Sequence, residues 1–213
     1  ERDVRELAAI SERVALPRLL RFLATRSGTL LNVADLARTT GLARATLDRY
    51  LALLTRTFAV QFVPAWSGEV ARRLVKSPKV LFGDPGLAAH LVGLDATRLL
   101  NDPDHLGPML ETFVGTELLK QIAAAEGRLE LMHYRDSQGS EVDWVLEDSR
   151  GRLVGVEVKS TSSPSERDFK GLRSFAASVG KCFHRGILLH AGAPSAPLCD
   201  GLWALPVHAL CRL

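Results

Sequence analysis

Two carboxylates and a lysine stand at spacings that could do chemistry. They lie in the stretches Glu141 to Glu147 and Val154 to Ser160. Both read as β-strands. Val142, Trp144 and Leu146 alternate with Glu141, Asp143 and Val145, and Val154, Val156 and Val158 alternate with Gly155, Glu157 and Lys159. Side chains two apart in a strand share a face. The polar stretch Asp148 to Arg152, with Gly151, reads as a hairpin connection. Pairing the two strands sets Asp143 beside Glu157 and Lys159. An E-x-K strand also occurs on ordinary exposed edges. With an acid on the preceding strand and an apolar opposite face, the set suits a hard divalent cation and a bound water.

The elements that must position these residues follow from periodicity. Residues 1–26 read as helical, with Leu7, Ile10, Val14 and Leu16 at helical spacing and Pro17 opening a second stretch. Asn32 caps a short helix over Val33–Thr40, which Gly41 ends, and a second helix runs from Ala43 to about Thr55. Strands are expected over Phe58–Trp66 and Lys79–Phe82, around the basic segment Arg72 to Lys76. Two short helices joined at a glycine and followed by strands make a winged helix-turn-helix the expected front half. Arg44, Arg49 and Arg56 on its second helix are candidates for nucleic-acid contact. Winged helices also serve as spacers and docking modules.

Asn101 to Pro108 is dense in turn residues and reads as a linker, dividing the chain into 1–104 and 105–213. Beyond it comes a helix from Met109 to about Ala125. Glu111 and Glu117 lie six positions apart, so only one can face the strand site. Strands at 129–134, 141–147 and 153–159, a helix capped by Ser165 and a strand at 186–190 complete an α-β-β-β-α-β order. A last strand over Leu202–Leu205 and a closing turn over Val207–Leu213 follow. The fold class is α/β (α+β).

Composition limits the function classes. The chain has 213 residues, 46% of them hydrophobic, with a mean hydropathy of +0.07. No apolar run has membrane-spanning length. Cys182, Cys199 and Cys211 lack C-x-x-C spacing, which argues for free thiols in a reducing, cytoplasmic setting. Residues 1–100 carry 15 Lys and Arg against 9 Asp and Glu, a balance of +6; residues 101–213 carry 12 against 15, or −3. A basic front favours a polyanion and an acidic back suits a cation. His133 and His190 fall in or beside strands, without metal-ligand spacing. Ser160, Ser162 and Ser163 lack a nucleophile-elbow context. There is no G-x-x-x-x-G-K-[ST], hence no ATP site in this chain. A chain that begins at Glu1 is expected to be a piece of a longer protein.

The order of elements, with an acid on the first helix, Asp143 on the second strand and Glu157-Val158-Lys159 on the third, resembles the PD-(D/E)XK restriction-endonuclease-like core. The stretches Leu110 to Val114, Tyr134-Arg135, Glu141 to Val145 and Val156 to Lys159 are similar to a C-terminal domain of unknown function of bacterial and archaeal AAA-type ATPases. Ser77 to Leu87 resembles that family's middle segment. The resemblance implies an N-terminal ATPase domain of the same polypeptide as a partner, and a nuclease-like fold here.

It also implies roles. Asp143, Glu157 and the Val158 carbonyl would hold magnesium or manganese (Mg or Mn), and Lys159 would orient water or stabilise charge. Glu111, with Glu117 in reserve, would act in the cation's outer shell. Arg135 and Lys170 would touch phosphate, although surface charges near a turn and on a helix have other uses. Three functions are consistent with this pattern. One is a metal-dependent nuclease acting on DNA or RNA. The second is a catalytically silent nuclease fold that binds nucleic acid or protein. The third is a winged-helix DNA-binding regulator whose second half senses a ligand.

Overall fold

The computed structural model describes residues 15–69, 73, 76–192 and 201–212. Leu7, Ile10 and Val14, Arg72 of the basic segment, loop positions 193–197, Cys199 and Leu213 lie outside the described residues. Helix α1 covers residues 15–25. Helix α2, Val33–Thr40, begins where the Asn32 side chain accepts the Asp35 N–H at 3.0 Å, and Gly41 closes it by donating to the Ala37 carbonyl. Helix α3, Arg44–Arg56, turns Leu47, Tyr50, Leu51 and Leu54 inward. Strands β1, Val60–Val63, and β2, Lys79–Phe82, pair antiparallel. Leu19, Leu23, Leu36, Leu47, Val60, Val80 and Phe82 form the core of this half. Each such side chain is worth about 1.5–3 kcal/mol when fully buried.

Helices α4, Pro85–Leu91, and α5, Ala96–Asn101, lead into α6, Pro103–Ala124. The turn-rich stretch expected as a linker is therefore mostly helix. Asp102 caps α6 by accepting the Asp104 N–H, and Pro103 stands in the first turn, where a missing N–H leaves nothing unpaired. Pro108 lies inside the helix, and its carbonyl accepts the Thr112 hydroxyl at 2.8 Å. Met109 packs on the first core, while Val114 packs with Val63 and Leu81 from the front half and Trp144 and Val156 from the back. The helix thus joins both halves.

The main sheet has the order β3-β4-β5-β6-β7, built from Leu129–Arg135, Glu141–Asp148, Leu153–Lys159, Phe183–His190 and Leu202–Pro206. Strands β3, β4 and β5 run antiparallel; β5, β6 and β7 run parallel. Helix α7, Lys170–Val179, makes the crossover from β5 to β6 and follows a 3-10 turn over Glu166–Phe169 that Ser165 caps. A 3-10 segment, Val207–Arg212, follows β7. Helix α6 covers one face of the sheet and α7 the other. The fold is mixed α/β, with helices on two sheets.

One glycine sets how closely α6 lies on the sheet. A Cβ on Gly115 would come within 2.6 Å of Trp144 Cζ2 and 3.1 Å of Leu81 Cδ1. Trp144 is fully buried. Gly115 is one turn beyond Glu111, so the two share a helix face, and the close contact at one fixes the reach of the other.

Candidate metal centre

The two strands of interest part where the carboxylates stand. Strands β4 and β5 pair from Glu147–Leu153 through Trp144–Val156, and Asp143 would face Glu157 at the next rung. The described pairing stops there. Instead Asp143 Oδ2 accepts the Val158 N–H at 2.9 Å, so a side chain replaces the strand's own partner. On the other side of β4, Met132 pairs with Val145 and Tyr134 with Val142. Strand β4 therefore carries one extra residue opposite β3, a β-bulge at Asp143 and Trp144. The strict alternation expected for this strand fails here. Val142 and Val145, three apart, lie in the same core beneath α7. Asp143 and Trp144 both reach one ammonium group, that of Lys79.

On the α7 side, Glu157 is 6% exposed. Its Oε1 accepts from Lys159 Nζ at 2.8 Å, while its Oε2 is buried and, among the described residues, receives no hydrogen bond. Gly171, in the first turn of α7, leaves room beside that oxygen: a Cβ there would lie 3.6 Å from Oε2 and only 2.3 Å from the Glu141 carbonyl. A cleft of about 280 Å³ opens over this point, lined by Glu141, Glu157, Lys159, Arg167, Asp168 and Lys170 among others. Burial and then the Asp143 charge push the Glu157 carboxyl up to about 7, against the pull of Lys159. Burial alone would lower Lys159, but the charge and hydrogen bond of Glu157, with the Asp143 and Asp168 charges, together outweigh it and raise the ammonium above its usual value.

On the α6 side, Glu111 Oε1 accepts from Lys79 Nζ at 2.5 Å, and Asp143 Oδ1 lies 3.4 Å from the same nitrogen. Gly28 packs against the Glu111 carboxyl, 3.4 Å from where its Cβ would stand, with a φ of +81° that suits glycine. Burial and Asp143 push Glu111 up to about 8, with Lys79 opposing. Burial opposes the Lys79 charge, yet Glu111 and Asp143 outweigh it and raise its pKa. One cation shared by two buried carboxylates leaves an excess negative charge, and that excess keeps a proton available near neutral pH.

The site residues read from the sequence thus fall in two groups joined through Asp143. Glu157 and Lys159 face the cleft; Glu111 meets Lys79 under α6. Glu117 instead bonds Lys120 at 2.6 Å on the outer surface of α6. Lys170 lines the cleft, and Arg135 lies near Glu141 at 3.8 Å. Arg44, Arg49 and Arg56 are exposed on α3; Arg44 grips Asp48 at 2.9 Å and Arg49 lies over the Tyr50 ring. His133 is held by the Ser77 carbonyl at 3.2 Å and is pushed down to about 4 by burial and by Lys79. His190 accepts the Gly192 N–H. Lys79 was missed by the sequence reading. Its signal was a lysine opening the short apolar strand Lys79–Phe82, where every residue is buried.

Among the described residues, no three His, Cys, Asp or Glu side chains converge on a single metal position. The donor set still fits Mg or Mn. Magnesium is commonly held by one or two carboxylates and keeps several waters. Glu157 Oε2 is a buried carboxylate oxygen without a donor among the described residues, next to the strand end where Asp143 takes the Val158 N–H. Burial and the Asp143 charge raise Glu157, and a cation placed between them would relieve that repulsion.

Residues 106–210 match the model of a family described as a domain of unknown function, DUF4143. Residues 1–98 match a second domain of unknown function, DUF8612. The motif-bearing strands lie within the first of these matches. The chain is 34% identical over 210 residues to the uncharacterized proteins Rv2008c of Mycobacterium tuberculosis and Mb2031c of Mycobacterium bovis, covering 99% of this chain and 46% of each relative. It therefore spans about half the length of the curated relatives it matches. A chain of the Thermococcus gammatolerans assembly of McrB AAA+ hexamers with bound McrC aligns over 90% of this chain and 70% of its own. The identity is 11% and the TM-score 0.36, too distant to bear on fold or partner. No described helix is long and apolar enough to cross a membrane.

Proposed function

We propose that the back half is a metal-dependent, nuclease-like module of an ATPase-coupled protein. The observation that carries this is Glu157 Oε2, a buried carboxylate oxygen with no donor among the described residues, set where the pairing of β4 and β5 ends at Asp143. In this reading Asp143, Glu157 and the Val158 carbonyl hold Mg or Mn. The bound cation supplies a Lewis acid that lowers the pKa of a water and neutralises phosphoryl charge. The chain's own groups do the rest. Lys159, 37% exposed at its side chain, faces the cleft while tethered to Glu157, so it can order water or meet a phosphoryl oxygen. Arg167 and Lys170 line the same cleft and favour a phosphate backbone over a neutral substrate. Glu111, with its raised pKa, can exchange a proton at neutral pH.

The front half is read as a winged helix that presents Arg44, Arg49 and Arg56 to DNA. The portion of the longer relatives that this chain does not match is where an ATPase domain would reside. A second reading, a silent nuclease fold that binds nucleic acid or protein, draws on Lys79, whose ammonium already lies against both Glu111 and Asp143. The test is Mg- or Mn-dependent cleavage of single-stranded, duplex and branched substrates by this chain and by the longer protein with ATP. Metal-dependent cleavage that disappears in Asp143→Ala and Glu157→Ala supports the first reading. A longer protein that binds these substrates but cleaves none with metal and ATP establishes the second.

A further inference from the structure

Lys79 is the buried charged group that the proposed chemistry does not use. Its position is built, not incidental. Strand β2 lies between β1 and the segment 28–31, with Val80 N–H donating to the Thr29 carbonyl at 2.9 Å, Gly28 N–H to the Val80 carbonyl at 2.8 Å and Leu31 N–H to the Pro78 carbonyl at 2.8 Å. The backbone of Lys79 is thus fixed from both sides. Its side chain is 9% exposed and runs over the Trp144 ring, 5.1 Å from the centroid. The ammonium ends between Glu111 Oε1 and Asp143 Oδ1. Glu141 adds a further negative charge to this neighbourhood.

We infer that Lys79 is a built-in counter-ion that competes with a divalent cation for Asp143 and Glu111. The front half would thereby govern metal loading in the back half. This rests on the metal reading given above. Asp143 has two oxygens. One is committed to the Val158 N–H, and the other, which a metal would need, faces Lys79. A divalent cation at Asp143 must therefore approach a fixed positive charge or displace it. Displacement needs no break in the strand, because the lysine stem has four rotatable bonds and its backbone stays paired. Any event that shifts β1 and β2 against α6 would withdraw the ammonium and open the site, whether a nucleic acid on the front half or motion of a neighbouring domain.

The experiment is calorimetric titration of Mn2+ into the full chain in chelator-stripped buffer, for wild type, Lys79→Met, Lys79→Arg and Lys79→Met with Asp143→Asn. Removing the competing charge is expected to tighten Mn2+ binding by about tenfold or more, since one unit charge at this range in a partly buried site carries more than that. Lys79→Arg should bind as weakly as wild type, and adding Asp143→Asn should cancel the gain. Circular dichroism checks that each variant is folded. A second measurement needs no variant: reductive methylation of wild type, read by mass spectrometry, should modify Lys79 more with saturating Mn2+ than without, relative to exposed Lys170. If wild type and Lys79→Met bind Mn2+ alike and lose it with Asp143→Asn, the metal site stands and the role of Lys79 falls. Unchanged labelling of Lys79 at saturating Mn2+ also overturns that role. If neither wild type nor Lys79→Met binds Mn2+, the metal reading falls with it.

Discussion

At the scale of single residues, the centre is defined by charge imbalance. Glu111, Asp143 and Glu157 bring three carboxylates, and Lys79 and Lys159 two ammonium groups, to one end of the sheet, divided between its α6 and α7 sides. Glu111 gives a direct test. Its carboxyl ordinarily titrates near 4.5 and here near 8. Between those values the folded chain holds a proton that the unfolded chain has lost. The contribution of Glu111 to stability is therefore fully present below pH 4.5 and disappears as pH rises through 8. In chelator, the stability of wild type minus that of Glu111→Gln should fall over this window, by an amount on the order of a few kcal/mol. Denaturant melts at a series of pH values would show it; a flat difference would mean Glu111 is ionised in the fold. Lys159→Ala makes a different test. It should keep Mn2+ binding within a few fold, because the carboxylates remain, yet lower cleavage by about a hundredfold or more, as expected when a charged group acting on the reacting atoms is removed. Parallel calorimetry and cleavage assays separate the two effects.

At the scale of elements, the sequence was informative wherever the signal was local. The E-x-K strand, the hairpin at Gly151, the Asn32 and Ser165 caps and the helix–Gly41–helix turn were all legible, because each depends on neighbours within a few residues. What was not legible depended on partners far along the chain. The bulge at Asp143 exists only because β3 pairs with β4 out of step, so simple alternation misplaced Asp143 relative to Trp144. The stretch Asn101 to Pro108 resembled a linker because its Asp, Pro and Gly residues also start helices, and Asp102 with Pro103 does that here. Lys79 lies 64 positions from Asp143, and no spacing rule joins them. Gly115 carries a prediction at this scale. In most helix interiors Gly→Ala gains about 1 kcal/mol. Here the new Cβ overlaps the buried Trp144 ring, an overpacking that costs about 1–3 kcal/mol. Gly115→Ala should lower stability overall, and it should weaken Mn2+ binding as Glu111 moves with the helix. A more stable Gly115→Ala protein would show that α6 has room to rise from the sheet.

At the scale of the whole molecule, two halves share one helix and one core. Val63 and Leu81 from the front pack with Val114, Trp144 and Val156, and the Trp66 N–H donates to the His133 carbonyl at the edge of β3. On the proposed reading, a ligand on the front half would act on the candidate metal centre through β2 and Lys79. The charge balance, +6 over residues 1–100 and −3 over 101–213, makes the exposed arginines of α3 the first place to test for polyanion contact. Arg44→Ala with Arg49→Ala should weaken duplex DNA binding by about tenfold at low salt and flatten its salt dependence, while leaving Mn2+ binding unchanged. Fluorescence anisotropy over a salt series measures both quantities; unchanged binding would assign α3 to protein docking instead.

The proposed function requires that Asp143 and Glu157 together hold a divalent cation. Anomalous diffraction at the manganese edge tests it most directly, on crystals of the full chain equilibrated with Mn2+ at a concentration that saturates binding in solution. The expected result is a single strong peak within ligand distance of Asp143 and Glu157, at about 2.0–2.6 Å from their oxygens, with the Lys79 ammonium moved away from Asp143. A saturated crystal whose manganese lies elsewhere, with Glu157 Oε2 still bare and Lys79 still on Asp143, would contradict it.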